Sequence, residues 1–550
     1  MTDPTAIDGP RFAPWAGSWR AVLLLTLAVT AARVAYLVLL CPYSLIEDEA
    51  QYWVWSLHPD WAYSTKGPGV AWAIGLATQV LGDAEWAVRL PAALAGGVAM
   101  LAVAGLARDT IPDRRAAFFA AACMGLAPVF QALSLLMTID GPLVACWALA
   151  CWSAWRALAM GSKRAWVALG LVLAVGVLFK FTIVLLVPGI VLAWALRRRA
   201  WRAWPTGVVL AHALLMLGVA PPILWNARHG WPTLAHLLGH AGLPGSDLAP
   251  TAEPGYSPLW TLSLLGAQLA LVGPALALMW VGWRGRRETA GPGPASGTLL
   301  HLSLPVLLFY LGLSFLSEPE GNWPVAGWVA PMPLAGWGAV HGMDRFKRRL
   351  RDWLALPAPR PRAGLLRRRP ETIPQVAWHA TLAVGIAVAI VVARLDLILG
   401  LPIVSSAVPA GRLTGLTRVP RLAAHVRTLA DGTGSDPIVI AQHYGRAAQL
   451  WYYLHRSRRP GDGPVTVYCA SRPLGGRKTP WDFWPDTDLA DPALLGRAAV
   501  ISADEPGTPG EAHLRRAFES LQHAGRLDGD PKRRRAAYLG VGYRGFTDAP

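Results

Sequence analysis

Three carboxylates, Glu47, Asp48 and Glu49, stand together a few residues after an apolar run from Ala21 to Leu40 that carries a single charge, Arg33. That run is long enough to cross a bilayer, because about 20 residues at 1.5 Å rise match a hydrocarbon core of about 30 Å. The acids therefore sit at a membrane lip, a depth at which ionised groups are costly and tend to be kept for a task. Asp140 meets the surface in the same way, ahead of Gly141-Pro142 and the next apolar run. Besides a chemical role, Asp140 fits a helix N-cap at that turn. Lys66, Arg89, Lys180, Arg228 and His229 supply cations, and Glu318, Glu320 and Asn322 form a polar knot in a later turn. Tyr52 follows Asp48 by one helical turn, close enough to orient it, although an interfacial tyrosine anchor reads the same way.

These residues need elements to hold them. Of the 550 residues 53% are hydrophobic, and the 27 Trp and repeated apolar runs fit a polytopic membrane protein rather than a soluble core. After Ala21 to Leu40 the candidate spans are Leu90 to Leu106, Ala116 to Leu136, Gly141 to Met160, Ala165 to Leu178 and Phe181 to Leu196. Thr206 to Trp225, Leu259 to Trp280, Leu299 to Leu316, Pro324 to Val340 and Val376 to Leu399 complete a set of about eleven. The net charge of +17 does not point to nucleic acid, because the basic residues gather in alternate connections. Arg108, Arg114, Arg115, Arg156, Lys163, Arg164, Arg197 to Arg199, Arg284 to Arg287 and Arg345 to Arg351 mark one side as cytoplasmic, together with the N-terminus. The acidic and aromatic connections, 41–89, Asp140, 226–258 and 317–323, then face the periplasm, as does the C-terminus. Ala71 to Val80 is apolar but too short to cross, and reads as an interfacial helix. Ala21 to Leu40 is longer than a signal-peptide core, so a cleavable leader is not expected.

Residues 1–400 thus form a transmembrane domain with a first external loop at 41–89, and 401–550 a small α/β domain. In the latter, Pro437 to Ala441, Val465 to Ala470 and Ala498 to Ala503 read as strands, and Tyr444 to His455 and Gly510 to His523 as helices. Leu354 to Pro370, with its Pro and Arg, reads as a linker. Of the five cysteines only Cys41 and Cys469 fall outside the spans on the oxidising side, and nothing in the sequence brings them together.

The run Glu47 to Ser56, followed by Asp60-Trp61-Ala62-Tyr63-Ser64-Thr65-Lys66-Gly67-Pro68, resembles the first external loop of C-type-fold membrane glycosyltransferases. More narrowly, the chain resembles the bacterial branch of the protein O-mannosyltransferase superfamily, glycosyltransferase family 39, which includes the aminoarabinose transferase of lipid A. Arg89-Leu90-Pro91, the stretch Asn226 to Trp231 and Glu320-Gly321-Asn322-Trp323-Pro324 extend the likeness, and Gln442-His443-Tyr444 and Asp482 to Pro485 are similar less specifically. The resemblance implies an α-helical polytopic C-type fold in the bacterial inner membrane. It also implies a polyprenyl-phosphate sugar donor, and a lipid or protein acceptor in the envelope at the outer face.

Within it Asp48 takes the place of the central catalytic carboxylate, either drawing a proton from an acceptor hydroxyl or stabilising charge on the anomeric carbon. Glu49 supports it, and Asp140 is the second acid. Lys66 stands where the family carries Lys-Pro-Pro, with Gly67 replacing the middle proline, and faces the leaving phosphate. Lys180, Arg89, Arg228, His229, Tyr52, Glu320 and Asn322 are expected to bind donor or acceptor. Asp48, Glu49, Asp140 and Glu320 could also gather a divalent cation through hard oxygens, but the abundant Lys and Arg favour basic side chains on the phosphate. A polymer ligase or polymerase using a diphosphate donor is the neighbouring enzymatic reading. A lipid or solute transporter is disfavoured because the charges sit at one face rather than at a midplane between repeats.

Overall fold

The computed structural model describes every residue except 1–12, 197–203, 241–254, 288–290, 355–372, 402–416, 435, 461, 528–534 and 547–550. The expected linker at 354–370 and the basic run at 197–199 therefore lie largely outside the described residues. In chain order the helices are α1 (Trp19–Leu39), α2 (Glu47–Leu57), α3 (Gly69–Leu81), α4 (Glu85–Thr110), α5 (Arg115–Leu126), α6 (Pro128–Ala132), α7 (Asp140–Met160), α8 (Lys163–Phe179), α9 (Leu186–Ala195) and α10 (Trp204–Arg228). They continue with α11 (Pro232–His240), α12 (Pro258–Val272), α13 (Ala275–Arg284), α14 (Ala295–Leu313), α15 (Met332–Leu354), α16 (Ile373–Ala393), α17 (Leu395–Gly400), α18 (Val419–Asp431), α19 (Tyr444–Arg456) and α20 (Pro509–Arg516). The strands are β1 (Ile438–Ala441), β2 (Val467–Cys469), β3 (Ala499–Asp504), β4 (Phe518–Arg526) and β5 (Arg535–Tyr543).

Six of the described helices are long and apolar enough to cross a membrane: α1, α4, α7, α10 from Thr206, α14 and α16. The helix pair α12 and α13 passes the same test together but bends by 87° at Gly273-Pro274. Other apolar runs are interrupted. The run 116–136 breaks at Ala127, where Pro128 begins the short α6, because the residue before a proline is pushed out of the helical region. The run 324–340 begins as a 3-10 turn at Trp323–Trp328 before α15. The interfacial candidate is α3, thirteen residues long.

The contacts divide the chain into two compact units. The first takes 1–35, 92–221 and 252–390, the second 36–91, 222–251 and 391–550. The first unit is a helical core rich in Ala, Leu and Trp, running from Ala16 through α5, α7, α8 and α14 to Trp378. Small residues allow the closest approaches: a Cβ on Gly282 of α13 would lie 2.0 Å from the Leu334 carbonyl oxygen of α15. Such helix contacts in apolar surroundings are made by backbone proximity and van der Waals packing.

The second unit joins the loop region 36–91 to the C-terminal segment. Its sheet runs β2-β1-β3-β5-β4, with the first three strands parallel and the last two pairings antiparallel. One expectation is corrected here: the helix anticipated over Gly510 to His523 ends at Arg516, and Phe518–Arg526 is strand β4. As an edge strand pairing only with β5, β4 leaves most side chains partly or fully exposed, so it lacks the apolar alternation that signals a strand. Opposite the sheet, α19 packs on α2. Trp53 meets Tyr452 edge to face at 5.0 Å, and the Leu45 amide donates to the Tyr453 hydroxyl at 2.8 Å.

Candidate active site

The acidic helix α2 begins where the sequence places its carboxylates, so Glu47, Asp48 and Glu49 occupy its first turn. Negative charge there suits the positive end of the helix dipole. Glu49 is fully buried and engages Arg89 in a two-pronged pair, Nε to Oε1 at 2.8 Å and a terminal nitrogen to Oε2 at 2.6 Å. Arg89 also donates to the Tyr43 and Ser44 carbonyls, and Glu49 accepts from the Ile46 amide at 3.1 Å. Every strong polar group of this pair is thus spent on fixing the approach to α2. Glu49, expected to support Asp48, and Arg89, expected to bind donor or acceptor, are engaged with each other and with the backbone leading into α2. Asp48 is exposed, one residue along the same turn. Tyr52, four residues on, is buried with its ring edge on Trp55 at 5.1 Å.

Lys66 sits on a tight turn closed by reciprocal backbone bonds, Tyr63 amide to Lys66 carbonyl at 2.9 Å and the reverse at 3.3 Å. Tyr63 stacks on Trp55 of α2 at 4.3 Å, and its hydroxyl donates to the Trp55 and His58 carbonyls. The turn is tied on its other side to the end of α10 and to α11. Trp225 Nε1 donates to Asp60 at 2.6 Å, and the Thr233 hydroxyl donates to the Tyr63 carbonyl at 3.3 Å. Arg228 and His229 lie exposed at this end of α10, the imidazole stacked on Trp225 at 4.1 Å and on the edge of Phe483.

The same unit gathers residues that composition and spacing do not single out. Arg446, fully buried, faces Glu47 at 3.9 Å, and His443 faces Glu47 at 3.8 Å. Tyr444 feels the charges of both Asp48 and Glu47; burial, before these charges, raises its pKa, while Arg477 opposes the rise. Arg477 donates to the Tyr444 hydroxyl oxygen at 3.0 Å and bonds His236 Nδ1 at 3.2 Å. His236 in turn lies 3.0 Å from His240, Nε2 to Nε2. Burial, then the neighbouring His240, Arg477 and Lys66, lower the His236 pKa to about 3. His236 and Arg477 lie in stretches with no distinctive local pattern, and only contact across some 240 residues of chain joins them. His443 and Tyr444 belong to the legible stretch Gln442-His443-Tyr444.

In the first unit a second polar group forms. Asp140 is buried, and its carboxylate receives Lys180 Nζ at 2.7 Å on one oxygen and Asn322 Nδ2 at 3.2 Å on the other. It is the first residue of α7, and it caps no backbone amide of that helix by its side chain. Lys180 reaches it because the backbone is extended at that one residue, between α8 and a 3-10 turn over Phe181–Leu185. Asn322 is placed by its turn, whose Gly321 carbonyl accepts from Gln268 at 2.7 Å. Glu320 is exposed beside it, as is Glu318. Asp48, Glu49, Tyr52, Lys66, Arg89, Arg228 and His229 therefore lie in one compact unit, and Asp140, Lys180, Glu320 and Asn322 in the other. Among the described residues no three His, Cys, Asp or Glu side chains are grouped as a metal-ligand set, and Cys41 and Cys469 are both free thiols.

Comparison with known proteins adds relatives and a shared fold. Residues 65–225 match the model of the dolichyl-phosphate-mannose-protein mannosyltransferase family. ArnT from Cupriavidus metallidurans, solved with undecaprenyl phosphate, superposes with a TM-score of 0.60 at 17% identity, covering 95% of this chain and 99% of that one. The chain shares the C-type glycosyltransferase fold of that ArnT. The apo form of the same ArnT fits this chain with a TM-score of 0.60 at 16% identity, over 94% and 97% of the two chains. The lipid A galacturonosyltransferase RgtD of Rhizobium johnstonii is 29% identical over 325 residues, which is 58% of this chain and 65% of RgtD, a little under two thirds of that relative.

Proposed function

We propose that this chain is a membrane glycosyltransferase that moves a sugar from a polyprenyl-phosphate donor to a cell-envelope acceptor on the periplasmic side of the bacterial inner membrane. The observation that carries the reading is the grouping in one unit of an exposed carboxylate, Asp48, on a helix turn locked from below, with Lys66 and Arg477 around Tyr444 and His236. Two likenesses support the reading: ArnT, of the same fold, is solved bound to undecaprenyl phosphate, and the aligned RgtD is a lipid A galacturonosyltransferase.

In this reading the acceptor oxygen attacks the anomeric carbon, the carbon–oxygen bond to phosphate breaks, and its electron pair stays on the leaving phosphate as a second negative charge. Cations aimed at that charge favour the transition state over the ground state. Where the acceptor is a hydroxyl, its proton passes to Asp48; where it is a phosphate, Asp48 orients it or balances positive charge on the sugar. Within its own unit, Asp140, held by Lys180 and Asn322, is the second acid proposed for the reaction, and Glu320 a residue proposed to bind substrate. Arg228 and His229, exposed at the end of α10, are proposed to bind donor or acceptor, and Tyr52 backs the turn that bears Asp48. About eleven spans place the N-terminus in the cytoplasm and the 401–550 domain in the periplasm.

The test is Asp48→Asn, which is expected to stay inserted and folded while sugar transfer falls by about 100-fold or more. Mass spectrometry of lipid A, other glycolipids and glycoproteins from cells carrying only that variant reads the outcome. A normal product would remove Asp48 from catalysis.

A further inference from the structure

Arg477 is a guanidinium with only neutral partners. Elsewhere in the same unit Arg89 faces Glu49, Arg427 faces Asp462, Arg446 faces Glu47 and Arg456 faces Glu85. Arg477 makes no ion pair among the described residues; it donates to a phenol oxygen and an imidazole nitrogen, and its guanidinium carbon lies 5.1 Å from the centre of the Tyr444 ring. Its backbone is pinned as well. The Ser471 hydroxyl donates to the Arg477 carbonyl at 3.2 Å, the Gly476 amide donates to the Ser471 carbonyl at 2.7 Å, and Asp482 holds the Thr479 amide at 2.6 Å. A half-buried cation fixed this firmly, with its charge left unbalanced by its partners, is arranged for an anion that arrives from outside the chain.

The hydrogen bonds also assign the protons. Because Arg477 is a donor only, His236 Nδ1 must be bare, and its Nε2–H then donates to His240. A protonated His236 would set a hydrogen against the guanidinium, and burial together with His240, Arg477 and Lys66 holds the ring neutral, with a pKa of about 3. His236 and Tyr444 are thus seats for Arg477 rather than counter-charges. Lys66 acts on His236, and Asp48 acts on Tyr444, so the unbalanced guanidinium lies in the group that also bears the proposed catalytic carboxylate.

We propose that Arg477, seated on His236 and Tyr444, binds an oxyanion of the lipid-linked donor beside Lys66. This rests on the glycosyltransferase reading above. The oxyanion is either the lipid phosphate or the carboxylate of a uronic acid sugar, since both present the paired oxygens that a guanidinium fork matches. His236 is a positioning residue.

The test measures binding of two probes, undecaprenyl phosphate alone and undecaprenyl phosphate carrying galacturonic acid, to the purified full-length chain. Arg477→Gln is expected to weaken binding by roughly 10-fold to 100-fold, the loss of one charged hydrogen-bonding group. Equal loss on both probes assigns the phosphate, and loss confined to the galacturonate probe assigns the sugar carboxylate. Wild-type affinity for both would overturn the proposal. Arg477→Lys keeps the charge without the fork and carries the same test if the Gln variant is unstable: weaker binding supports the proposal and unchanged binding defeats it. His236→Asn, which keeps an acceptor near the Nδ1 position, should bind nearly as the wild type, whereas His236→Leu should follow Arg477→Gln; equal affinities for the two His236 variants would end the positioning role. Asp48→Asn should bind both probes and transfer nothing. A wild-type chain that binds neither probe would instead defeat the underlying reading, so the two failures are told apart.

Discussion

Adjacent side chains on one turn carry opposite burdens here. Glu49 is buried in a two-pronged pair with Arg89, so removing its charge leaves a guanidinium in the interior with nothing to balance it. Breaking such a pair costs about 3–5 kcal/mol, and Glu49→Gln is expected to lower the unfolding free energy in detergent by that amount. Asp48→Asn, at an exposed position, should leave it within about 0.5 kcal/mol of the parent. A second residue-scale effect concerns pH. The folded pKa of His236 is depressed to about 3 from the 6.5 of an unperturbed imidazole. The unfolded chain therefore binds the extra proton between those values, and stability rises with pH across that window at up to about 1.4 kcal/mol per pH unit. The His236 contribution is complete above pH 6.5 and is lost as pH falls toward 3. Thermal melts at pH 7.5, 6 and 5 should show a falling midpoint that flattens in His236→Asn.

Elements hold these residues through interruptions rather than through regularity. Lys180 reaches Asp140 because one extended residue separates two helical pieces, and α7 can start at Asp140 because Gly141 has no side chain. A Cβ on Gly141 would lie 2.5 Å from the Leu133 carbonyl oxygen, a backbone atom with little room to yield. Gly141→Ala should therefore cost about 1–3 kcal/mol, the usual range for overpacking, and should disturb the Asp140–Lys180 pair. Comparing unfolding midpoints of Gly141→Ala and of Gly161→Ala measures different things. Gly161 has open space around it but a left-handed backbone with φ +63°, so its cost comes from conformation and not from crowding.

Over the whole molecule, the boundary drawn near residue 400 does not separate the contacts. The first loop and the C-terminal segment share one unit, with Trp53 on Tyr452, His58 stacked on Trp484 at 4.0 Å, and Tyr452 donating to the Asp83 carbonyl at 2.6 Å. Deleting 401–550 strips these partners from aromatic residues that are otherwise buried. Limited trypsin digestion of membranes should then cut at Lys66 in the truncated chain while the intact chain resists. Equal resistance would mean that the loop keeps its structure without the C-terminal segment.

The sequence alone determined the membrane character of the chain, the acidic start of α2 and the break at Lys180. Each is written locally, in hydropathy, in a run of carboxylates, or in a charge amid apolar neighbours. It determined residue types too, so Asp48, Lys66 and Asp140 stood out as candidates. Only the tertiary structure decided which charges are spent on one another. The pairs Glu49–Arg89 and Asp140–Lys180 each span 40 residues, and Arg477–His236 spans 241. Edge strand β4 was hidden for a related reason, since its identity comes from the ladder with β5 rather than from its own side chains. Local pattern reports what a segment prefers, whereas partnership depends on chain closure over long separations, which no window of sequence contains.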